Sequence, residues 1–501
     1  MINCGLSAFS HRFFNRIKHL TDLVYFGIIK KMLGGRFMQK LILYPDRAKQ
    51  TMEGFGASGA WWAQVVGGWT QQDPDSGLPF YERIAQLLFD KEKGIGITCY
   101  RHNLGGGSQN SKSSVFDQTC RMAECHLKND GTYDWNRDEN AVRMLLSVVK
   151  NGCEEVVLFC NSPPEKYTIN GKSCVSRAGG INIRRKNFSP FADYCVQVTK
   201  HFLSMGVPVK FFSPVNEPVW VWTEKNGQEG CHYRPWQVWE LMRICADKFR
   251  EANLGVLLSG AENGDIRWFN KTYSRIMLGD QKIKSMSDGV DVHSYFLPLP
   301  VNLGAITDFL NDRISYVKRW RRWLNKKYPN AKVRVSEWTH MQGGRDYGMD
   351  SALVQAETML DDICLLHACA WQNWIAVSNV DYCDGLLYID LAKPGFEFTK
   401  RYFAFGNFSK YIAVGAKYMP AETKNANIKA AAFEKDGETV VVVMNKSETA
   451  QQLCLPQIAG QTVQGFVTDA EHDLAQVQFN ADDLVLSSRS VTTLVFKGGI
   501  V

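Results

Sequence analysis

Long apolar runs are the first thing this 501-residue sequence lacks. No window reaches the roughly 18 unbroken apolar residues of a membrane-spanning helix, so no membrane span is expected. None of the 14 cysteines forms a C-x-x-C pair, which removes local support for a zinc or dithiol site. The glycine run Gly105-Gly106-Gly107 lacks the G-x-x-x-x-G-K-[ST] pattern of a phosphate cradle, and we read it as a loop allowing close approach to a site. A basic body is missing too. Most of the net charge of +7 sits in residues 1–37, where Arg12, Arg16, Lys18, Lys30, Lys31 and Arg36 stand against the single acid Asp22. Nucleic-acid binding needs positive charge spread over a folded surface, so no nucleic-acid partner is expected. Internal repeats and low-complexity linkers are also absent.

The basic stretch 1–37 has two readings. Its longest apolar run, 23–29, is broken by Gly27; a secretory core needs about 7–15 apolar residues and then a small-residue cleavage site. A basic helix lying on a surface is one reading. An extension upstream of the true start is the favoured one, since Met32 and Met38 both precede the first strand-like run, 41–44. Cys99, Cys153, Cys160, Cys195, Cys245, Cys364 and Cys369 fall in apolar runs, where free thiols pack as small hydrophobes. Thiols of this kind, with no convincing signal peptide, give a cytoplasmic expectation; secretion stays open.

What is present is a repeating pattern. Between about residues 51 and 412, strand-like runs at 54–59, 95–102, 155–161, 209–215, 256–260, 290–295, 333–337 and 371–377 alternate with helical periods. The helical stretches are 81–90, 139–150, 190–205, 236–252, 306–327 and 351–370, with 399–412 after the eighth strand. Eight strands alternating with helices predict an α/β fold, a (β/α)8 TIM barrel. After 412 the texture changes to short β-branched runs at 428–433, 439–444, 451–455, 463–467, 475–479 and 491–496. These predict a C-terminal side β-sandwich, into which the run 41–44 should pair. The expected organisation is an extension 1–37, a sandwich strand 38–50, a catalytic barrel 51–410 and the sandwich 411–501.

In such a barrel, chemistry sits at the C-terminal strand ends. Two of those ends deliver a glutamate: Glu217 after the fourth strand and Glu337 at the end of the seventh. An ionisable group there is costly unless the site uses it. Two on one rim form the carboxylate pair that glycoside hydrolysis requires.

Four motifs in order carry a family resemblance. Gly54-Phe55-Gly56-Ala57-Ser58-Gly59-Ala60-Trp61-Trp62, Asn161-Ser162-Pro163-Pro164, Ser213-Pro214-Val215-Asn216-Glu217-Pro218 and Ser336-Glu337-Trp338 together resemble glycoside hydrolase family 30. Gln228-Glu229-Gly230-Cys231 and Asp384-Gly385-Leu386-Leu387-Tyr388-Ile389-Asp390 are similar to its endo-β-1,6-galactanase-like members. The resemblance implies a barrel with a side sandwich and retaining hydrolysis of β-glycosides. It departs where Glu165 and Lys166 precede Tyr167, a place where the family often has an aromatic.

The expected roles follow from charge. Glu217 is the general acid/base, its pKa held up by a dry cleft; Glu337 is the ionised nucleophile. Arg101 is the candidate cation beside Glu337, or else a structural salt bridge. Asn216 is placed to donate to a sugar 2-hydroxyl. His293 and Tyr295 alternate with Asp291 and share a face; His293 is read equally as a core histidine. Trp61, Trp220 and Trp371 are the aromatic candidates for stacking on sugar, with Trp62, Trp222 and Trp338 on the same rim. Neither metal nor cofactor is expected. The reading is a retaining hydrolase of β-linked galactan-type oligo- or polysaccharides. Its alternatives are another family 30 activity (β-glucosylceramidase, β-1,6-glucanase or xylanase) and a non-catalytic carbohydrate-binding protein. Loop shape, not the carboxylates, sets sugar, linkage and endo or exo action.

Overall fold

The computed structural model describes residues 39–111, 119–174, 180–298, 307 and 310–498. The extension 1–37, with Met38, and the start of the helical period at 306 lie outside these residues.

Eight parallel strands form one sheet: β1 (Gly54–Ser58), β2 (Cys99–Leu104), β3 (Glu155–Cys160), β4 (Val209–Ser213), β5 (Leu257–Leu258), β6 (Gly289–His293), β7 (Lys332–Trp338) and β8 (Ala368–Asn373). Neighbours run β5-β4-β3-β2-β1-β8-β7-β6, and a parallel bridge between Ala261 and Asp291 joins β5 to β6. The sheet is therefore the curled (β/α)8 barrel. Its helices are α1 (Phe80–Phe89), α2 (Glu139–Lys150), α3 (Phe188–Ser204), α4 (Pro235–Ala252), α5 (Asn270–Gly279), α6 (Arg313–Lys327), α7 (Met349–Asp361) and α8 (Lys400–Ser409). Strands buried on both faces read as unbroken apolar runs, and β3 is buried along its whole length.

Three departures from the sequence reading have local causes. Strand β2 starts at Cys99, because the amides of Ile95 and Ile97 bond back to Leu87 and Leu88 of α1 instead of to a strand. The helical stretch 351–370 stops early. Beyond α7 it widens into a π turn, Asp362–Leu366, and ends at His367, whose φ of +55° takes the chain out of the helix. Strand β8 then begins at Ala368, three residues before Trp371. Beyond β8, Ile375–Ser378, Gly385–Asp390 and Lys393–Phe398 make a three-stranded sheet that the sequence pattern did not announce.

The side sandwich has a seven-stranded sheet running Ala475–Asn480, Thr462–Thr468, Ser490–Lys497, Glu438–Asn445, Ile428–Lys435, Lys417–Glu422 and Ile42–Leu43. Opposite it, Gln39–Lys40, Gln451–Cys454 and Leu484–Leu486 form a second sheet. Leu41, Val441, Val443, Leu453 and Leu494 fill the space between them. Helix α8 ties sandwich to barrel: Asn407 Nδ2 donates to the Phe466 carbonyl, while Phe405 and Phe408 pack on Phe55 of β1. No helix among the described residues is long and apolar enough to cross a membrane. Every described cysteine is a free thiol, and all but Cys364 and Cys454 are buried.

Candidate active site

Backbone geometry at the strand ends positions the acids. Pro214 follows β4, and Glu217 takes a left-handed φ of +45°. Its amide donates to the Glu262 carbonyl at 2.9 Å, tying the end of β4 to the end of β5. Glu262, with φ of +47°, is the same conformational exception one strand along. Glu337 lies within β7 and pairs in register with His293 of β6, so the two side chains are neighbours inside the barrel.

A buried charge network results. Arg101 of β2 is fully buried and donates from Nη1 to Glu337 Oε2 at 2.8 Å. Its Nη2 donates to Asn216 Oδ1 at 2.7 Å and to Glu262 Oε2 at 3.1 Å. The Tyr295 hydroxyl donates to Glu337 Oε1 at 3.0 Å. His293 Nδ1 lies 2.8 Å from Glu217 Oε1 and 3.3 Å from Glu337 Oε1. Burial lowers the His293 pKa, which favours the neutral ring, and Nδ1 is the nitrogen that faces both carboxyls while Nε2 has no partner. Asn216 Nδ2 donates to Asn161 at 2.9 Å.

The charge balance separates the acids. Burial pushes the Glu217 carboxyl up to about 8, and Glu262 adds to the rise while Arg101 opposes it. Glu337 rises less, to about 7, because His293 and Arg101 offset its burial. Burial also works against the Glu262 charge, but Arg101, His293 and the Ser213 hydroxyl together outweigh it and hold that pKa below the usual range. One guanidinium thus serves Glu262 and Glu337 directly, and no cation touches Glu217 among the described residues. Of the three carboxyls, Glu217 is raised furthest, Glu337 less so, and Glu262 is lowered.

Glu217, His293 and Glu337 present ligand atoms within 4.8 Å of one another, a set able to hold a cation that the sequence spacing concealed. The guanidinium on Glu337 already supplies positive charge there.

A cavity of about 580 Å³ opens onto the pair, lined by Asn216, Glu217, Tyr295 and Glu337 together with Trp61, Trp220, Trp222 and Trp374. A Cβ on Gly264 would come within 1.8 Å of Trp220 Nε1, so glycine is what leaves room for that indole there. Trp61 carries the Arg121 guanidinium 4.1 Å from its ring centroid and meets Trp374 edge-on at 5.0 Å. Arg101 and His293 stand beneath this floor, touching the carboxylates rather than the cavity.

Trp371 is a correction. It is fully buried, donates Nε1 to Asp362 at 3.1 Å and packs on Trp338 and Phe405. Gln372 reaches inward to Cys99 of β2, so alternation turns residue 371 outward to the helix layer; Trp374 takes the cavity position. The glycine run also differs from its reading. The amides of Gly106 and Ser108 bind the buried Glu229 at 2.8 and 3.0 Å, so that loop grips a side chain of its own protein. Sequence reasoning missed Glu262 and Arg121. Glu262 was findable as a third glutamate just past a barrel strand.

The family model described as O-Glycosyl hydrolase family 30 matches residues 38–388. An endo-β-1,6-galactanase of Hypocrea rufa is 22% identical over 435 residues, 82% of each chain. Among solved structures, a conserved exported protein from Bacteroides fragilis superposes with a TM-score of 0.80 at 22% identity, covering 91% of this chain and 100% of that one. An endo-β1,6-glucanase superposes at 0.68 with 14% identity, covering 92% and 94%.

Proposed function

The chain belongs to O-glycosyl hydrolase family 30, and from that membership we propose that it cleaves β-linked galactan-type glycans, endo-β-1,6-galactanase-like, by double displacement. It is an O-glycosyl hydrolase and its substrate is carbohydrate. The observation that carries the mechanism is the carboxyl pair within 4.8 Å. Retaining enzymes hold these groups about 5–5.5 Å apart, and inverting ones about 6.5–9.5 Å to admit a water.

Glu337 attacks the anomeric carbon, oriented by Arg101 and Tyr295, which occupy its two oxygens. Glu217, protonated in the ground state, gives its proton to the departing glycosidic oxygen. In the second half-reaction Glu217 takes a proton from the incoming water, and the released sugar keeps its β configuration. Asn216, Trp61 and Trp220 line the substrate's place. A second reading, β-1,6-glucan, is supported by the shared fold of the endo-β1,6-glucanase structure. The free, buried thiols support a cytoplasmic location for this chain.

Proton NMR of the first turnovers on β-1,6-linked galacto- and gluco-oligosaccharides tests the scheme. The β-anomer should appear first and mutarotate later; an initial α-anomer would overturn retention.

A further inference from the structure

Two polar groups in the catalytic cavity have no use in the hydrolytic scheme. Arg121, half-buried in the turn Thr119–Arg121, lines the cavity. Its guanidinium is laid against the Trp61 ring, and its Nε–H is buried without an acceptor. Across the same cavity Asp384 is 3% exposed, and its Oδ1 is buried without a donor. Burial pushes that carboxyl's pKa up to about 6, with Ser378, Arg401 and nearby backbone amides opposing the rise. The two charges feel each other, yet neither supplies the hydrogen bond the other lacks. An orphaned buried donor and an orphaned buried acceptor lining one cavity cost free energy unless a ligand completes them.

Resting on the reading of this cavity as the hydrolase's substrate site, we infer that Arg121 and Asp384 form a clamp for hydroxyls of one uncharged glycosyl unit. Arg121 Nε–H donates to a sugar oxygen, and Asp384 Oδ1 accepts from an adjacent hydroxyl. Stacking on Trp61 fixes the plane of the guanidinium, so little side-chain entropy is lost when sugar arrives. Asp384 also sets the charge selectivity. A free guanidinium alone would welcome a uronate, and a carboxylate close by repels one. The clamp therefore selects neutral sugars over acidic ones and reads the configuration of the hydroxyl pair.

Calorimetric binding of β-1,6-galactotriose to the inactive Glu337→Gln enzyme tests this without turnover. Adding Arg121→Gln or Asp384→Asn should each weaken binding about 10- to 100-fold, as expected for hydrogen bonds involving a charged group. The two together should cost less than the product of the singles, because both hold one sugar unit. Arg121→Lys keeps the charge and loses the Nε–H, so it should show the same loss, and it serves if Arg121→Gln does not fold. The same trisaccharide oxidised to a uronate at its terminal C6 should bind more weakly than the neutral one. If the parent ignores galactotriose, the galactan reading fails and the variants are compared on β-1,6-glucotriose. Unchanged affinity in the variants would overturn the clamp. So would preferred binding of the uronate, tightened further by Asp384→Asn, which would make Arg121 a carboxylate receptor.

Discussion

Removing the charge of Glu337 should retune Glu217. Their carboxyl oxygens lie within 4.8 Å, and Glu217 is held up to about 8. At an effective dielectric of about 20, unit charges at that distance repel by about 3.5 kcal/mol, equivalent to about 2.5 pKa units. In Glu337→Gln the side-chain oxygen still accepts from Arg101 or Tyr295, and only the charge is lost. With that charge gone, Glu217 should fall from about 8 toward the usual carboxylate range, while its burial and the charge of Glu262 still hold it above that range. Carbon-13 NMR of labelled glutamate carboxyls across pH 4–10 would follow the titration in parent and variant. The glycosyl ester on Glu337 is equally neutral, so trapping it with a 2-fluoro sugar should cause a similar fall. That fall would turn Glu217 from acid into base between the two half-reactions. A Glu217 titration that stays in place in both the variant and the trapped enzyme, or moves upward, would refute the electrostatic coupling and the acid–base assignment with it.

The other predictions address single residues. With an activated aryl glycoside, Glu217→Ala should be accelerated by azide and yield a β-glycosyl azide, whereas Glu337→Ala should give only the α-azide; reversed products would exchange the two roles. Arg101→Met strands the buried Glu262 and Glu337 without a counter-charge and should cost about 3–5 kcal/mol in denaturant unfolding. Because both folded-state pKa values would then lie above their unfolded ones, the deficit should be small near pH 4 and grow as pH rises. Trp371→Ala should lower stability by about 3–5 kcal/mol with KM little changed, and Trp220→Ala should do the opposite, raising KM several-fold for about 1 kcal/mol of lost aromatic contact.

The proposed catalytic pair was legible because the fold restricts where chemistry can sit. Once eight alternating runs are counted, a glutamate at a strand end is conspicuous, and Glu217 and Glu337 both occupy such ends. Trp371 misled because both faces of a barrel strand are apolar, so the run does not say which parity points inward, and it is Gln372 that does. Glu262 was passed over although the run 256–260 marked its strand, because it stands two residues beyond that run rather than at its end. Arg121 sits in a loop turn where no periodicity applies, so its place beside Trp61 is a purely tertiary fact. The strands Gly385–Asp390 and Lys393–Phe398 escaped for another reason. The second carries Pro394 and is mostly half-buried or exposed, which is how an edge strand looks and how a loop looks too.

The two left-handed glutamates set stability and activity against each other. Each non-glycine residue held in that region costs on the order of 1–3 kcal/mol, and Glu217 and Glu262 stand side by side in it at the ends of β4 and β5. Glycine at 217 would adopt the same backbone freely and would also remove a buried acid from beside two others. Improving the enzyme by heat tolerance alone would therefore favour Glu217→Gly, a sturdier protein with no acid/base. Any selection for robustness in this fold must include turnover among its criteria, because a left-handed non-glycine backbone and the proposed catalytic proton belong to one residue.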